Sequence, residues 1–461
     1  MPTQEVARAA RPSALLQCGG QRRNPILLDG GGPDSWAHGD VIYSDEPAAT
    51  LEVFPSGWGR WCADGAATWR WGDPLTQWEA FLEQGRAALP ASGDGGFLSL
   101  LGYDLKHWIE ALPRRQPWPR LPVLYCARYD WSYRANYRTG AARVAAASDD
   151  ALDEKLRWYE RAAAGLCRRS PTEAGGPLRR RRASCPRPRL SRARYAEMIA
   201  RAHDYIAAGD IYEVNLAQPF TADAALSDGP ALFAAWSERY PMPFAAYVDG
   251  GAWVALSNSP ECFLLADDTC VATFPIKGTR RRAADAAVEA VAAELRGDAK
   301  ERAEHVMVVD LERNDLGRVC EPGSIKVAEF ATVRQYPLLV HMVSDIRGRL
   351  RGGTSLAALF RATFPGGSIS GAPKIRAMQI IEELEPAARG FYTGTIGWTE
   401  VDGTSRFNIA IRTAVLDAGG LTYWAGGGIV ADSDATREYQ ESLLKAEALF
   451  RALATIEGGS A

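Results

Sequence analysis

Between residues 25 and 150, short apolar runs alternate with Gly, Pro and Asp turns, as in "GDVIYSD", "ATLEVFPSG", "GGFLSLLGYD" and "VLYCARYD". Period-two alternation bounded by turn formers predicts half-buried strands. Two stretches, "LTQWEAFLEQGRAAL" and "ALDEKLRWYERAAAGL", switch to helical spacing. Further on, "SRARYAEMIARAHDYIAAGD" predicts an amphipathic helix capped by Ser191. Strand-like runs follow at 211–221 and 244–276, then one long helix over 285–315. Strands at 324–334 and 338–349 precede helices over 354–363 and 372–384, and strands at 391–400, 405–416 and 421–431 lead to a last helix over 434–454. The strands come in antiparallel-looking groups with helices inserted between groups. That order predicts an α+β fold, not the regular alternation of a parallel sheet.

Residues 170–194 break the pattern. Between 179 and 194 stand eight arginines and no acid, among prolines and without an aromatic residue that could stack on a base. Such a composition disfavours a packed core and reads as a flexible linker. It divides the chain into a frayed start (1–20), an N-terminal region (21–168), the linker (169–193) and a C-terminal region (194–456).

The 461 residues are 47% hydrophobic and 24% charged, with a net charge of −3, enough apolar surface for a sizeable core. Near-balanced charge argues against a general nucleic-acid or membrane binder. Eight scattered cysteines without a CxxC suit reduced thiols in a cytosolic protein, and no apolar run reaches transmembrane length. No secretory signal is evident, and GxSxG, HExxH and GxGxxG after a strand are all missing.

What chemistry remains comes from a few polar residues in apolar settings. In "TFPIKGTRRR", Lys277 stands at the inner lip of a Gly278–Thr279 turn, apart from the arginines that follow. As a residue type it could be only the first charge of a solvated basic run. Glu301 and Glu304 are three apart on one predicted helix, and Glu438 and Glu441 three apart on another. Each pair shares a helical face. If the helices face each other, four carboxylates converge, a donor set suited to Mg²⁺; solvated acidic faces have the same spacing. "FPGGSISGAPKIRAMQIIEEL" opens a helix from a Gly/Ser-rich loop able to hold an anion, and the glycines of "WAGGGIVADSD" permit close approach to backbone. By alternation Arg412 in "SRFNIAIRTAVL" shares a face with Asn408, Ala410 and Ala414, leaving room for a carboxylate beside its guanidinium. Glu261 follows a proline at a strand start, and His341 lies within a strand.

Taken together, "SPECF", "PIKGTR", "RAEHVMVVDLERNDLGRVC", "VHMVSDIRG", "PGGSISGAPKIRAMQIIEELEP", "RGFYTGTIGW", "FNIAIRTA" and "GGGIVADSDATREYQESLLKA" resemble the chorismate-binding enzyme family, in its order and spacing from about 190 to 455. The resemblance implies two packed antiparallel β-sheets with helices on the outside, as in anthranilate synthase component I. It implies Mg²⁺ held by Glu304 and Glu441, with Glu301 and Glu438 on metal-bound waters. Arg412 and Tyr392 resemble the pair that grips the enolpyruvyl carboxylate. Gly426 and Gly428 match amides near the ring carboxylate, Ser368 and His341 match positions lining the ring, and Thr279 is expected to bind substrate. Glu261 matches the general acid/base.

Lys277 occupies the slot where aminodeoxychorismate synthases carry lysine and anthranilate synthases a small residue. The resemblance thus implies amination of chorismate through a covalent Lys277 adduct, toward 4-aminobenzoate and folate. Ammonia would come from a separate glutamine amidotransferase subunit. For the amine to attack, its pKa should be lowered by a desolvated or cationic setting. Two alternatives stay open: an anthranilate synthase with an atypical lysine, and a non-catalytic chorismate- or RNA-binding protein using the arginine-rich run. "RRAAD" departs from the turn seen after this motif in relatives, and a tryptophan pocket is a further expectation for the N-terminal half.

Overall fold

The computed structural model describes residues 1–6, 10–19, 22–31, 39–89, 94–165, 186–281, 288–336 and 339–457. Two twelve-stranded antiparallel sheets form among the described residues. Each takes strands from both sides of the linker. The first runs from Thr3–Glu5 through Phe244–Asp249, Val254–Ser259, Thr413–Asp417, Gly420–Ile429 and Glu213–Ala222 to Arg187–Pro188. The second runs from Ile276–Arg281 through Leu339–Arg349, Cys262–Ala266, Ser405–Asn408 and Gly96–Leu101 to Ala66–Trp71. The α+β expectation of two packed sheets holds.

Side chains from both sheets interdigitate in one cluster, with Ile26, Ala246, Val248 and Ala255 meeting Leu98, Tyr125, Ile396 and Trp398. Helices cover the outside. Leu15, Trp158, Trp236 and Leu449, from four helices, pack with Tyr43, Tyr133 and Tyr247 of the first sheet. Trp78, Phe360 and Ile380 pack with Leu51, Phe97 and Phe407 of the second.

Four expectations need correction. The first twenty residues are not frayed throughout: Thr3–Glu5 pairs with Ala142–Ala146, and the helix Pro12–Gly19 buries Leu15 and Leu16 completely. The single helix over 285–315 is two, Val288–Gly297 and Ala299–Gly317. Between them Asp298 caps the second by accepting from the amides of Lys300 and Glu301, a contribution of about 1 kcal/mol. The strand over 405–416 is also two, because the chain leaves the second sheet after Asn408 and enters the first at Thr413. Finally, Cys18 is disulfide-bonded, whereas Cys62, Cys126, Cys262, Cys270 and Cys320 are free, since scatter along the chain sets no limit on proximity in space.

Most of the arginine-rich segment and residues 282–285 of "RRAAD" lie outside the described residues. The segment's end, Arg187–Pro188, forms a short strand against Phe220 and Thr221. No helix among the described residues is long and apolar enough to cross a membrane.

Candidate active site

Two neighbouring crossovers between the sheets carry key residues. At one, Val254–Ser259 passes through Pro260 and Glu261 into Cys262–Ala266; at the other, Ser405–Asn408 passes through 409–412 into Thr413–Asp417. Ile409 N donates to the Glu261 carbonyl at 3.0 Å, and Ser259 Oγ to the Ile409 carbonyl at 2.6 Å. Switching sheets frees backbone from the ladders, and these bonds tie the two freed segments together.

Lys277 lies on the edge strand Ile276–Arg281, and its side chain is only 11% exposed. It does not join the arginines: its Nζ donates to Oε1 of Glu213, a buried acid at the start of Glu213–Ala222. Gly428 makes room for this pair, because a Cβ there would stand 2.2 Å from Glu213 Oε1 and 3.1 Å from Lys277 Nζ. Burial alone would lower the Lys277 pKa, but the Glu213 carboxylate, with Glu304 and Glu261, raises it above the ordinary value. The expected lowering is therefore corrected: the lip is desolvated, but the surrounding charge is anionic and it prevails.

Gly428→Ala should push its Cβ into the Glu213 carboxylate, which has no solvent to retreat into. A displacement of about 1 Å within a site that does chemistry can cost roughly 10²-fold in rate. We expect a loss of that size for Gly428→Ala in steady-state turnover, and wild-type turnover would contradict this placement. Gly426 has a different reason to be glycine, since its Cβ would meet the Leu216 carbonyl of the paired strand at 1.9 Å. Gly426, Gly427 and Gly428 all lie inside the strand Gly420–Ile429, not at a turn.

Glu261 is 3% exposed and accepts from Ser368 Oγ at 2.7 Å, across 107 residues of sequence. Burial pushes its pKa up to about 7, against the Ser368 and Ile276 hydrogen bonds and the Lys277 charge. A carboxyl that exchanges its proton near neutrality suits general acid and base work.

His341 faces Thr279 in the ladder, and Thr279 Oγ1 bonds its Nδ1 at 2.8 Å. Burial, then the charges of Arg412 and Lys445, push the imidazole pKa down to about 3 despite a bond with the Gly278 backbone, so it is neutral. Its Nε2 is buried with no hydrogen-bond partner among the described residues. Arg412 sits at the second crossover with φ +48°, so the strand alternation drawn for it does not apply. Its Nη1 lies 3.6 Å from Met242 Sδ, and no carboxylate pairs with it among the described residues. Burial lowers its pKa, Tyr423 and Tyr336 opposing. A partly buried guanidinium without an acid awaits an anion. Next to it, Ile411 packs on Tyr392 and Trp424, whose rings stack with centroids 6.0 Å apart.

The four glutamates fall on two helices, Ala299–Gly317 and Ala435–Glu457, and the Lys300 charge of the first acts on both Glu438 and Glu441 of the second. Glu301 accepts from Arg280 Nη1 at 2.7 Å, and Glu441 pairs with Lys445 at 2.7 Å. No cation pairs with Glu304 or Glu438 among the described residues. Burial, with Glu213 and Glu301, pushes Glu304 up to about 7, and burial also raises Glu438 against a Ser433 bond. Surplus carboxylate of this kind fits a hard divalent cation, although no three of the four have ligand atoms that all lie within 4.8 Å of one another. Asp104, His107 and Glu382 do, within 4.8 Å. There, however, the buried Lys106 ammonium already lies 2.7 Å from Glu382 and fills the place of a cation.

The structure thus links Lys277, Glu261, Ser368, His341, Thr279 and Arg412 by hydrogen bonds and charge, holds Tyr392 against Ile411 next to Arg412, and adds Glu213, which the sequence reading missed. The signal was available: in "DIYEVNLAQ" an acid interrupts a run whose neighbours Ile211, Val214 and Leu216 are at most 1% exposed.

Residues 32–451 match the family described as chorismate binding enzyme. Over 361 residues, 78% of this chain and 77% of the relative, the chain is 40% identical to aminodeoxychorismate synthase component 1 of Klebsiella aerogenes. Over 410 residues, 84% of this chain and 79% of the relative, it is 37% identical to anthranilate synthase component 1 of Streptomyces coelicolor. The crystal structure of anthranilate synthase component I from Streptococcus pneumoniae TIGR4 superposes with a TM-score of 0.72 at 27% identity, covering 94% of this chain and 93% of that one. Relatives with two different named activities stand at similar identity. With these motifs, this fold and this match, the chain belongs to the chorismate binding enzyme family.

Proposed function

We propose that this enzyme is an aminodeoxychorismate synthase component I, converting chorismate and ammonia to 4-amino-4-deoxychorismate. The observation that carries the reading is Lys277: its amine is turned away from the basic run into a buried site beside Glu213 and Gly428, within the electrostatic reach of Glu261. The Lys277 amine attacks ring carbon two while Glu261 protonates the departing carbon-four hydroxyl. Ammonia then attacks carbon four and expels the lysine. Arg412 binds the enolpyruvyl carboxylate with Tyr392 beside it, and His341 Nε2 is offered to the substrate ring.

Glu304 and Glu441 would hold Mg²⁺, with Glu301 and Glu438 on its waters, and the bound ion would neutralise the ring carboxylate. The component 1 names of both relatives support a separate partner, which we take to be a glutamine amidotransferase supplying ammonia. A cavity of about 360 Å³ between the sheets, lined by Asp29, Arg134, Pro243, Phe244, Trp398 and Asn408, is where we place the tryptophan pocket. Equilibrium dialysis with labelled tryptophan should show retention, and none would remove that assignment.

Incubation with chorismate, Mg²⁺ and ammonium, followed by mass spectrometry, tests the reading. Aminodeoxychorismate is the expected product, and anthranilate with pyruvate would overturn it in favour of the other branch. Arg412→Ala should raise the KM for chorismate. Losing one side of a buried charge pair costs about 2 kcal/mol or more, roughly 30-fold in KM. Arg412→Lys should fall between, because it keeps the charge and loses the fork. A KM within threefold of wild type in Arg412→Ala would remove Arg412 from the substrate site.

A further inference from the structure

Glu213 enters no step of the reaction above, yet its carboxylate directly contacts the reacting amine. It is 2% exposed and accepts the hydrogen bond of Lys277 Nζ over the bare backbone of Gly428. An ion pair taken out of water seldom repays its desolvation. Packing alone would favour an apolar residue at 213, as at Ile211, Val214 and Leu216 on the same stretch. The strand is also held firmly where the acid stands: Tyr212 N donates to the Ala372 carbonyl at 2.8 Å, and Asn215 N to the Ser370 carbonyl at 2.9 Å. The acid is therefore aimed at one atom, the nitrogen that must lose a proton before it can form a bond.

We propose that Glu213 is the base that takes a proton from Lys277 as the amine attacks chorismate and returns it when the amine departs. The proposal rests on the reading of Lys277 as nucleophile. The steps balance. The Lys277 ammonium passes one proton to the Glu213 carboxylate, and the free amine bonds to ring carbon two. The ring double bonds shift, and the carbon-four hydroxyl leaves as water with the Glu261 proton. The adduct nitrogen is then a secondary ammonium. When ammonia bonds to carbon four, the double bonds shift back and the carbon-two nitrogen bond breaks, leaving Lys277 as a free amine. Lys277 recovers its proton from Glu213, and the new carbon-four ammonium gives one to Glu261. Because the Lys277 proton stays within the pair, the amine can attack without passing a proton to solvent.

The test compares Glu213→Gln, which keeps the volume and the acceptor but takes no proton, with Glu213→Asp, which keeps a base one methylene short. Turnover of chorismate with Mg²⁺ and saturating ammonium is measured for both and for wild type. We expect kcat to fall roughly 10²-fold or more in Glu213→Gln, with KM for chorismate within threefold, and Glu213→Asp to retain more activity than Glu213→Gln. A Glu213→Gln kcat within threefold of wild type, or Glu213→Asp no better than Glu213→Gln, overturns the proposal. If Glu213→Gln does not fold, Glu213→Ala titrated with formate replaces it. Concentration-dependent recovery supports the base, and no recovery overturns it. The underlying reading fails separately, if wild type makes no aminodeoxychorismate or Lys277→Ala turns over like wild type.

Discussion

Lys277→Ala is expected to lower chorismate amination by roughly 10²-fold or more, because among the described residues the Lys277 amine is the one that bonds to Glu213 and can open the covalent route. The substitution also has a stability cost. It leaves Glu213, 2% exposed, without its ammonium, and breaking one side of a buried pair costs about 3–5 kcal/mol. Thermal melting should therefore show a lower Tm for Lys277→Ala. Adding Glu213→Gln removes the stranded charge and should recover much of the Tm without recovering turnover. That separation distinguishes lost chemistry from lost folding. If the single variant keeps wild-type turnover, Lys277 is not the nucleophile, whatever its Tm.

The second large effect is at Glu261. Glu261→Gln keeps an acceptor for Ser368 Oγ but can give no proton to the departing hydroxyl, and loss of a general acid costs roughly 10²- to 10⁴-fold. The sign of the pH effect follows from burial. The Glu261 pKa is pushed up to about 7, so its acid form is present below that pH and is lost above it. Wild-type kcat should accordingly fall as pH rises through about 7. An internal transfer from Lys277 to Glu213 leaves the protonation of the pair unchanged and adds no opposing rise. A profile that rises up to about pH 7 and is flat above it would instead mean that Lys277 gives its proton to solvent, where the rising amine fraction cancels the falling acid.

Much of this arrangement was legible in the chain, and what was not had physical reasons. Period-two runs and turn residues pointed to an α+β fold, because they report local half-burial, while the two packed sheets came from the resemblance to a family. They do not report which sheet a strand joins. The run 405–416 alternates without interruption, so nothing in its pattern announces the crossover at 409–412, and Arg412 takes φ +48° without being glycine. The break at Asp298 was readable, since Gly297 followed by Asp is a helix stop followed by a cap, but the apolar period on both sides hid it. Pairings across long separations, such as Ser368 with Glu261 over 107 residues, have no local signature. The Lys277 environment shows the same limit: sequence put the lysine at a buried lip, but only the structure sets Glu213 beside it and so reverses the direction of its pKa.

The most direct test of the covalent claim is peptide mass mapping after wild-type enzyme is mixed with chorismate and Mg²⁺ without ammonium and quenched rapidly. The account predicts that the peptide containing Lys277 gains the mass of chorismate less one water, and that Lys277→Ala and Glu261→Gln show no such gain. An unmodified Lys277 peptide in enzyme that goes on to aminate chorismate when ammonium is added would contradict it.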